Sequence, residues 1–415
     1  MRYETIQAKT LLSKPMYGDG WFHSNRSMNA YRGCEHGCVY CDGHCQYYRI
    51  DDFYTHIRVK ENASQVLQRE LERAGYQSQS KIKSGSLVRF LSGDEKTKLV
   101  DSGKRKIIIG ASGGVSDAYQ PAEEKYKITH QVLETLHDFR LPVFILTKSN
   151  RVLRDLELLK EIHQQAFVSV CFSITLHDET TKAIFEPKSS ATWERFDALK
   201  EIRKAGLYGG VMATPTIPTI GDTYENMLGL AKAARQANAE FILFAGMTIK
   251  PGRQKDYFFN VVRRHVPEHY DQLQSIYANN HTYGLPIFDR LPVNAMLQGR
   301  RICQEVGIAD RSIRHMPPEE PEANVKVLNR LLDFVFYQSM TLGKAKTAWQ
   351  PYQELAVKID KGVPDLARLR QQGSLAQTLD IPEQMVADIV TILDTDTFPG
   401  LTKTIERIDE LAAKL

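Results

Sequence analysis

The chain has 415 residues, 42% of them hydrophobic, with 25% charged and a formal net charge of +4; a chain of this length can withdraw roughly three-quarters of its unfolded surface from water. Its short basic groups (Lys104-Arg105-Lys106, Arg263-Arg264, Arg300-Arg301) are scattered among acids, so charge gives no support to a nucleic-acid partner, which calls for a clustered basic face. No apolar run approaches the ~20 residues that span a bilayer, and the N-terminal stretch carries no apolar leader segment, which leads to the expectation of a soluble, cytoplasmic protein without a membrane partner.

Residues 1–26 read as an N-terminal extension. A first strand is expected over Ser27–Tyr31, just before a cysteine cluster, with a helix over 63–74. The polar stretch 77–98 looks like an inserted loop. Apolar runs then alternate with helical periodicity. Lys106–Gly110 precedes a helical pattern over 122–136, and Pro142–Leu146 precedes 152–163. Phe167–Thr175 precedes 193–205, Gly209–Ala213 precedes 224–234, and Glu240–Gly246 follows. Such a βα series implies a parallel sheet with crossover helices, and its continuous apolar strands suit a sheet covered on both faces. Six units fall short of a closed eight-stranded barrel. The expected fold class is therefore α/β, an incomplete (β/α)6 parallel barrel over residues 27–253.

Residues 254–415 read as a mainly helical C-terminal region, with helical periodicity over 324–337 and 402–415. The stretch 374–393 has the outline of a helix-turn-helix. Its second helix offers Glu383 and Asp388 and no Arg or Lys, which is wrong for phosphate contact. A plain packed helical pair is the expectation.

Four of the six cysteines, Cys34, Cys38, Cys41 and Cys45, fall within one short segment. In a reducing compartment such clustering points to metal or redox chemistry rather than disulfides. Three thiolates spaced C-x3-C-x2-C can close round one cubane, with Gly33 and Gly37 supplying backbone freedom. That assigns Cys34, Cys38 and Cys41 to a [4Fe-4S] cluster and leaves one iron open, where reagent binds. The alternative is a structural zinc ion with Cys45 or a nearby histidine as fourth ligand, although a zinc ribbon brings a second ligand pair and no other C-x2-C pair is present.

The spacing, with Tyr40 just before the last cysteine, resembles the signature of the radical S-adenosylmethionine (SAM) superfamily. Within it the chain resembles the spore photoproduct lyase-like group, often described as DNA repair photolyases of the radical SAM type. The resemblance covers about Lys9 to Arg253. It is carried by Asn29–Asp42, Gly114–Glu123, Thr147–Asp155, Ser173–Asp178 with Glu186-Pro187, and Thr214–Pro218.

The resemblance implies that SAM chelates the free iron and that a reduced cluster splits its sulfonium. A 5′-deoxyadenosyl radical then abstracts hydrogen from substrate, in a pocket at the C-terminal strand ends. It implies further that Ser116 and Asp117 hold the SAM amino group and Lys148 its carboxylate. Ser173 would face the ribose and the Tyr40 backbone would read the adenine edge. An electron donor such as flavodoxin or ferredoxin is implied as well. Each residue has a plainer reading: Ser116 and Asp117 as caps of the helix near Pro121, Lys148 as a surface lysine, Ser173 as a seam residue.

The family pattern breaks where a hydrogen-donating cysteine and a tyrosine are expected, since Gly114 and Asp42 stand there. Repair of the spore thymine dimer by the usual relay is thus not expected. Cys45 and Cys171 are the substitute donor candidates for a nucleic-acid lesion enzyme, Cys171 sharing a strand face with Ser173. Asp42, His44, Tyr119, Gln120, His177, Glu186 and Lys188 are further residues that could line the cavity. The leading expectation is a radical SAM enzyme with its substrate open. A non-enzymatic iron–sulfur or zinc module stands as the other class.

Overall fold

The apolar runs pair into two sheets in the computed structural model, which describes residues 1–84, 109–111, 115–279, 281–312, 314 and 320–415. In chain order the strands are β1 (Arg2–Ile6), β2 (Arg26–Ser27), β3 (Tyr31–Arg32), β4 (His56–Lys60), β5 (Ile109–Gly110), β6 (Val143–Thr147), β7 (Val168–Ser173), β8 (Val211–Ala213) and β9 (Ile242–Phe244). Strands β2, β5, β6, β7, β8 and β9 lie side by side in that order, and every neighbouring pair is parallel. Parallel neighbours need long crossovers. Helices Ile128–Asp138, Leu156–Gln165, Thr192–Lys204 and Tyr224–Gln236 fill them.

Side chains alternate across this sheet, as the pleat requires. Val143, Ile145, Val170, Val211 and Ile242 pack into a core with Leu133, Leu159, Leu199 and Leu230 of the crossover helices. Their neighbours Phe144, Cys171, Met212 and Leu243 turn to the opposite face. There they meet Leu328, Leu331 and Phe334 of the helix Glu322–Phe336. The C-terminal helices thus cover the sheet face that the crossovers leave open. Leu375 and Leu379 of Leu375–Leu379, with Met385 and Ile389 of Glu383–Thr395, enter the same core. The helical pair over 374–393 is a packing unit.

Three local expectations change. The run Ser27–Tyr31 is two strands: Arg26 and Ser27 pair with Ile109 and Gly110, whereas Tyr31 and Arg32 pair antiparallel with Val59 and Arg58. β4 also takes β1 along its other side. β1 is exposed at four of its five positions, so it has no apolar periodicity to betray it. The helix expected over 122–136 breaks at Lys127, where φ is 51°. The Glu123 carboxylate accepts the Thr129 and His130 N–H groups at 2.9 and 3.2 Å, capping a new helix start. The pattern over 152–163 opens as a 3-10 turn, Asn150–Asp155. The start of the strand Lys106–Gly110 and most of the stretch 77–98 lie outside the described residues. Among the described residues no helix is long and apolar enough to cross a membrane.

Beyond β8, burial pushes the Asp222 carboxyl up from 3.8 to about 6, against the lowering pull of the Thr219 and Asp222 backbone N–H groups. The folded state therefore holds a proton that the unfolded chain has released between about pH 4 and 6, and stability falls as pH rises through that window. Asp222→Asn should flatten this slope and raise stability at pH 7 by up to about 3 kcal/mol. Urea unfolding of both proteins at pH 5 and pH 7 measures it, and parallel pH dependences would refute the assignment.

Candidate functional site

The parallel register brings the C-terminal ends of successive strands to one edge, where open α/β sheets place their ligand crevice. A cavity of about 320 Å³ lies there. Cys34, Cys38 and Cys41 form one wall, and Ser116 and Asp117 follow β5. Thr147 and Lys148 come from the end of β6, Ser173 from the end of β7, Thr214 and Pro215 from beyond β8, and Gly246 and Thr248 from beyond β9.

The cysteine loop is fixed through its backbone. Gly33 has φ of 91°, and a Cβ there would stand 2.9 Å from the carbonyl oxygens of both Phe53 and His56. The Cys34 N–H donates to Phe53 O at 3.1 Å, and the Val39 N–H to Phe185 O at 2.9 Å. Tyr54 Oη donates to Cys38 O at 2.6 Å, and Gln254 Nε2 to Tyr40 O at 2.9 Å. Arg253 donates to His44 O at 2.8 Å, Ile50 O at 2.9 Å and Cys45 O at 3.3 Å. Both clamp residues open the helix Arg253–His265, more than two hundred positions along the chain.

With the carbonyls so engaged, the three thiols remain free. Burial pushes all three up, Cys41 to about 11, with neighbouring thiolates adding to the rise at Cys34 and Cys38 and the Asp42 carboxylate adding to it at Cys41. The His36 N–H toward Cys34, and the Gly43 and His44 N–H groups toward Cys41, pull the other way. A buried set of this kind becomes thiolate only beside strong positive charge.

Asp117 is a structural carboxylate. Burial would raise it, but His36 and its hydrogen bonds hold it at about 2. Its oxygens accept Tyr119 N–H at 2.8 Å, Thr147 Oγ1–H at 2.7 Å and Lys148 N–H at 2.7 Å. His36 Nε2 lies 3.2 Å away as an ion-pair neighbour off the hydrogen-bond line. Asp117 therefore ties the loop after β5 to the end of β6. Ser116 Oγ donates to Gly33 O at 2.9 Å and accepts from Gln120, so it braces the cysteine loop.

Lys148 reaches the cavity over the Tyr40 ring, 5.4 Å from its centroid. Its Nζ donates to Ser173 Oγ at 2.6 Å and to Glu186 Oε1 at 2.9 Å. Glu186 has no exposed surface, and its Oε2 lies 2.7 Å from Nη1 of the equally buried Arg195. Tyr40 Oη also donates to Glu186, as does Thr175 Oγ1 at 2.9 Å. Burial would raise the Glu186 carboxyl, but Arg195 and Lys148 hold it well below the usual carboxylate range.

Of the other residues named from sequence, Asp42 lines the cavity and pairs with Lys250 and with Tyr48 Oη. The rest do not line it. Tyr119 and Gln120 are fully buried in internal hydrogen bonds, and His44 stacks behind the loop, 4.6 Å from the Tyr54 ring. His177 packs on Gly229, Lys188 is exposed, and Glu186 lies beneath Lys148. Cys45 and Cys171 are buried away from the cavity, Cys171 among the C-terminal helix contacts. Gly114 lies outside the described residues. Sequence reading missed Arg195, Arg253, Gln254, Thr147 and the role of His36. His36, inside the cysteine loop, and Thr147, at the head of the stretch 147–155, carried a local hint.

No family model matches the chain. It is similar to an uncharacterized protein of Mycobacterium tuberculosis (strain H37Rv), 27% identical over 256 residues, or 60% of this chain and 66% of that protein. An uncharacterized protein of Methanocaldococcus jannaschii is 28% identical over 246 residues, 59% of this chain and 77% of that one. Among solved structures, spore photoproduct lyase complexed with dinucleoside spore photoproduct is similar at TM-score 0.43 and 16% identity, covering 64% of this chain and 66% of that one. Streptococcus suis SuiB bound to S-adenosylmethionine has TM-score 0.32 and 12% identity, covering 56% of this chain and 48% of the other.

Because Gly33 combines positive φ with two close carbonyls, Gly33→Ala should cost roughly 1–3 kcal/mol from backbone strain alone. A lowered thermal midpoint is expected, and an unchanged one would refute the tight approach.

Proposed function

We propose that this protein is a radical SAM enzyme, built on an open six-unit β/α barrel. One observation carries the reading: three free thiols spaced C-x3-C-x2-C share the wall of one cavity with Ser116, Lys148 and Ser173, at the C-terminal ends of a parallel sheet. Cys34, Cys38 and Cys41 would hold a [4Fe-4S] cluster. The donor set fits it, being two buried thiols and a half-buried third whose mutual repulsion a cluster's positive irons would relieve, with backbone N–H groups directed at the Cys34 and Cys41 sulfurs, a feature that tunes such centres.

A cluster held there would supply the one-electron reduction by which SAM is cleaved to a radical able to abstract hydrogen from a substrate. The chain's own residues bind and orient. Lys148 presents an ammonium that suits the SAM carboxylate, held in place by Ser173 and Glu186. Ser173, fixed by Lys148 and by its own bond to Thr214 O at 3.3 Å, offers a hydroxyl to the ribose. Val115, Leu146 and Pro215 supply apolar wall that keeps water from a radical. Asp117 and Ser116 act one step back, fixing the loops from which these groups project. A one-electron carrier such as a flavodoxin or ferredoxin is the proposed reductant. The positions of Cys45 and Cys171, both off the cavity lining, give no support to a lesion-repair route with either as hydrogen donor.

Anaerobic reconstitution should load about four irons per chain, as a single cubane demands. Reduction with dithionite in the presence of SAM should then release 5′-deoxyadenosine, followed by chromatography. Cys38→Ala should abolish both. Equal product from the variant and the native protein would overturn the reading.

A further inference from the structure

Two fully buried charges sit behind the cavity wall with no role in contacting a ligand. Glu186 and Arg195 have no exposed surface. Together with Lys148 they form a connected set, Lys148 Nζ 2.9 Å from Glu186 Oε1 and Arg195 Nη1 2.7 Å from Glu186 Oε2. Arg195 Nη1 also donates to Ser173 O at 2.7 Å, while its Nε and Nη2 are buried without a hydrogen-bond partner among the described residues. These three groups together carry one negative and two positive charges, a net +1 to which the buried Lys182 nearby adds, in a region that water screens weakly. Burying that imbalance is costly unless another charge offsets it.

The nearby cysteine wall is where the imbalance is felt. The charges acting on Cys38 include Lys148, Glu186 and Arg195, two cations that favour its thiolate and one anion that opposes it. Tyr40, two residues beyond Cys38, links the same carboxylate to the loop through its hydroxyl. Glu186 thus sits where its charge sets how much of the Lys148 and Arg195 field reaches the sulfur side of the cavity.

We propose that Glu186, held by Arg195, is a positioning and field-setting residue that fixes the Lys148 ammonium toward SAM and sets the reduction potential of the cluster on Cys34, Cys38 and Cys41. The proposal rests on the radical SAM reading. Reduction adds negative charge to the cluster, so a more positive surrounding raises its potential and a less positive one lowers it. With Glu186 neutralised the set carries +2, with Lys148 neutralised it carries 0, and with both neutralised it returns to +1.

The test is an electron-paramagnetic-resonance redox titration of the reconstituted full-length protein, without SAM, for native, Glu186→Gln, Lys148→Gln and the double variant. Glu186→Gln should raise the reduced-to-oxidised ratio at fixed potential about tenfold, which is about 59 mV for one electron. Lys148→Gln should shift it in the opposite direction, and the double variant should lie near native. SAM affinity, measured by equilibrium binding, should weaken in both single variants, with Glu186→Asp recovering part of it. A purely structural role would move all variants the same way, the double furthest, and that pattern or four equal potentials would overturn the proposal. If Glu186→Gln does not fold, Lys148→Gln still decides, because a potential that fails to fall overturns it. Native protein that binds no iron would count against the radical SAM reading instead, so the two failures are distinguishable.

Discussion

A loop that must offer three thiols to one cavity cannot hold itself in shape. Its own regular structure is one 3-10 turn, Asp42–His44, and any backbone carbonyl left unpaired in that interior would cost free energy comparable to a lost hydrogen bond. The rest of the molecule meets this constraint. Tyr54 takes the carbonyl of Cys38, Gln254 that of Tyr40, and Arg253 those of His44, Cys45 and Ile50. Gly33 lets the chain pass between two carbonyls that a side chain would strike. Because polar backbone is consumed by these partners, sulfur is what the loop has left to present.

Electrostatics organise the other walls by the same logic. Asp117 and Glu186 are both buried, and both are ionised because cations and hydrogen-bond donors outweigh desolvation. They differ in what they join. Asp117 locks one strand end to the next through backbone and hydroxyl donors, and its charge also opposes the Cys34 thiolate. Glu186 bridges two cations and a phenol, so its charge reaches the cavity through Lys148. Buried carboxylates here act as rivets, and the groups that touch the cavity are the ones they fix.

The sheet reconciles this polar edge with a dry interior. Its two faces belong to different partners: crossover helices on one side, and on the other the helix Glu322–Phe336 and those that follow it. Cys171 illustrates the consequence. It points to the same sheet face as Ser173 yet lies two residues lower, where that face is covered by C-terminal side chains instead of opening into the cavity. Height along the strand separates a packing residue from a site residue.

The sequence by itself determined the parallel strands β6 to β9, their crossovers and the cysteine spacing, because apolar runs, helical periods and closely spaced thiols are local signals. It also named the residues at the strand ends, Ser116, Asp117, Lys148 and Ser173, which the fold brings to one cavity. Tertiary structure alone decided which groups hold each of these in place, since those partners are remote in the chain: His36 for Asp117, Gly33 for Ser116, Glu186 for Lys148. The clamps Arg253 and Gln254, the buried Arg195 and the exposed strand β1 left no local signature. Hydrogen-bond partners and charges act across space, and periodicity along a chain records only which face of its own element is buried.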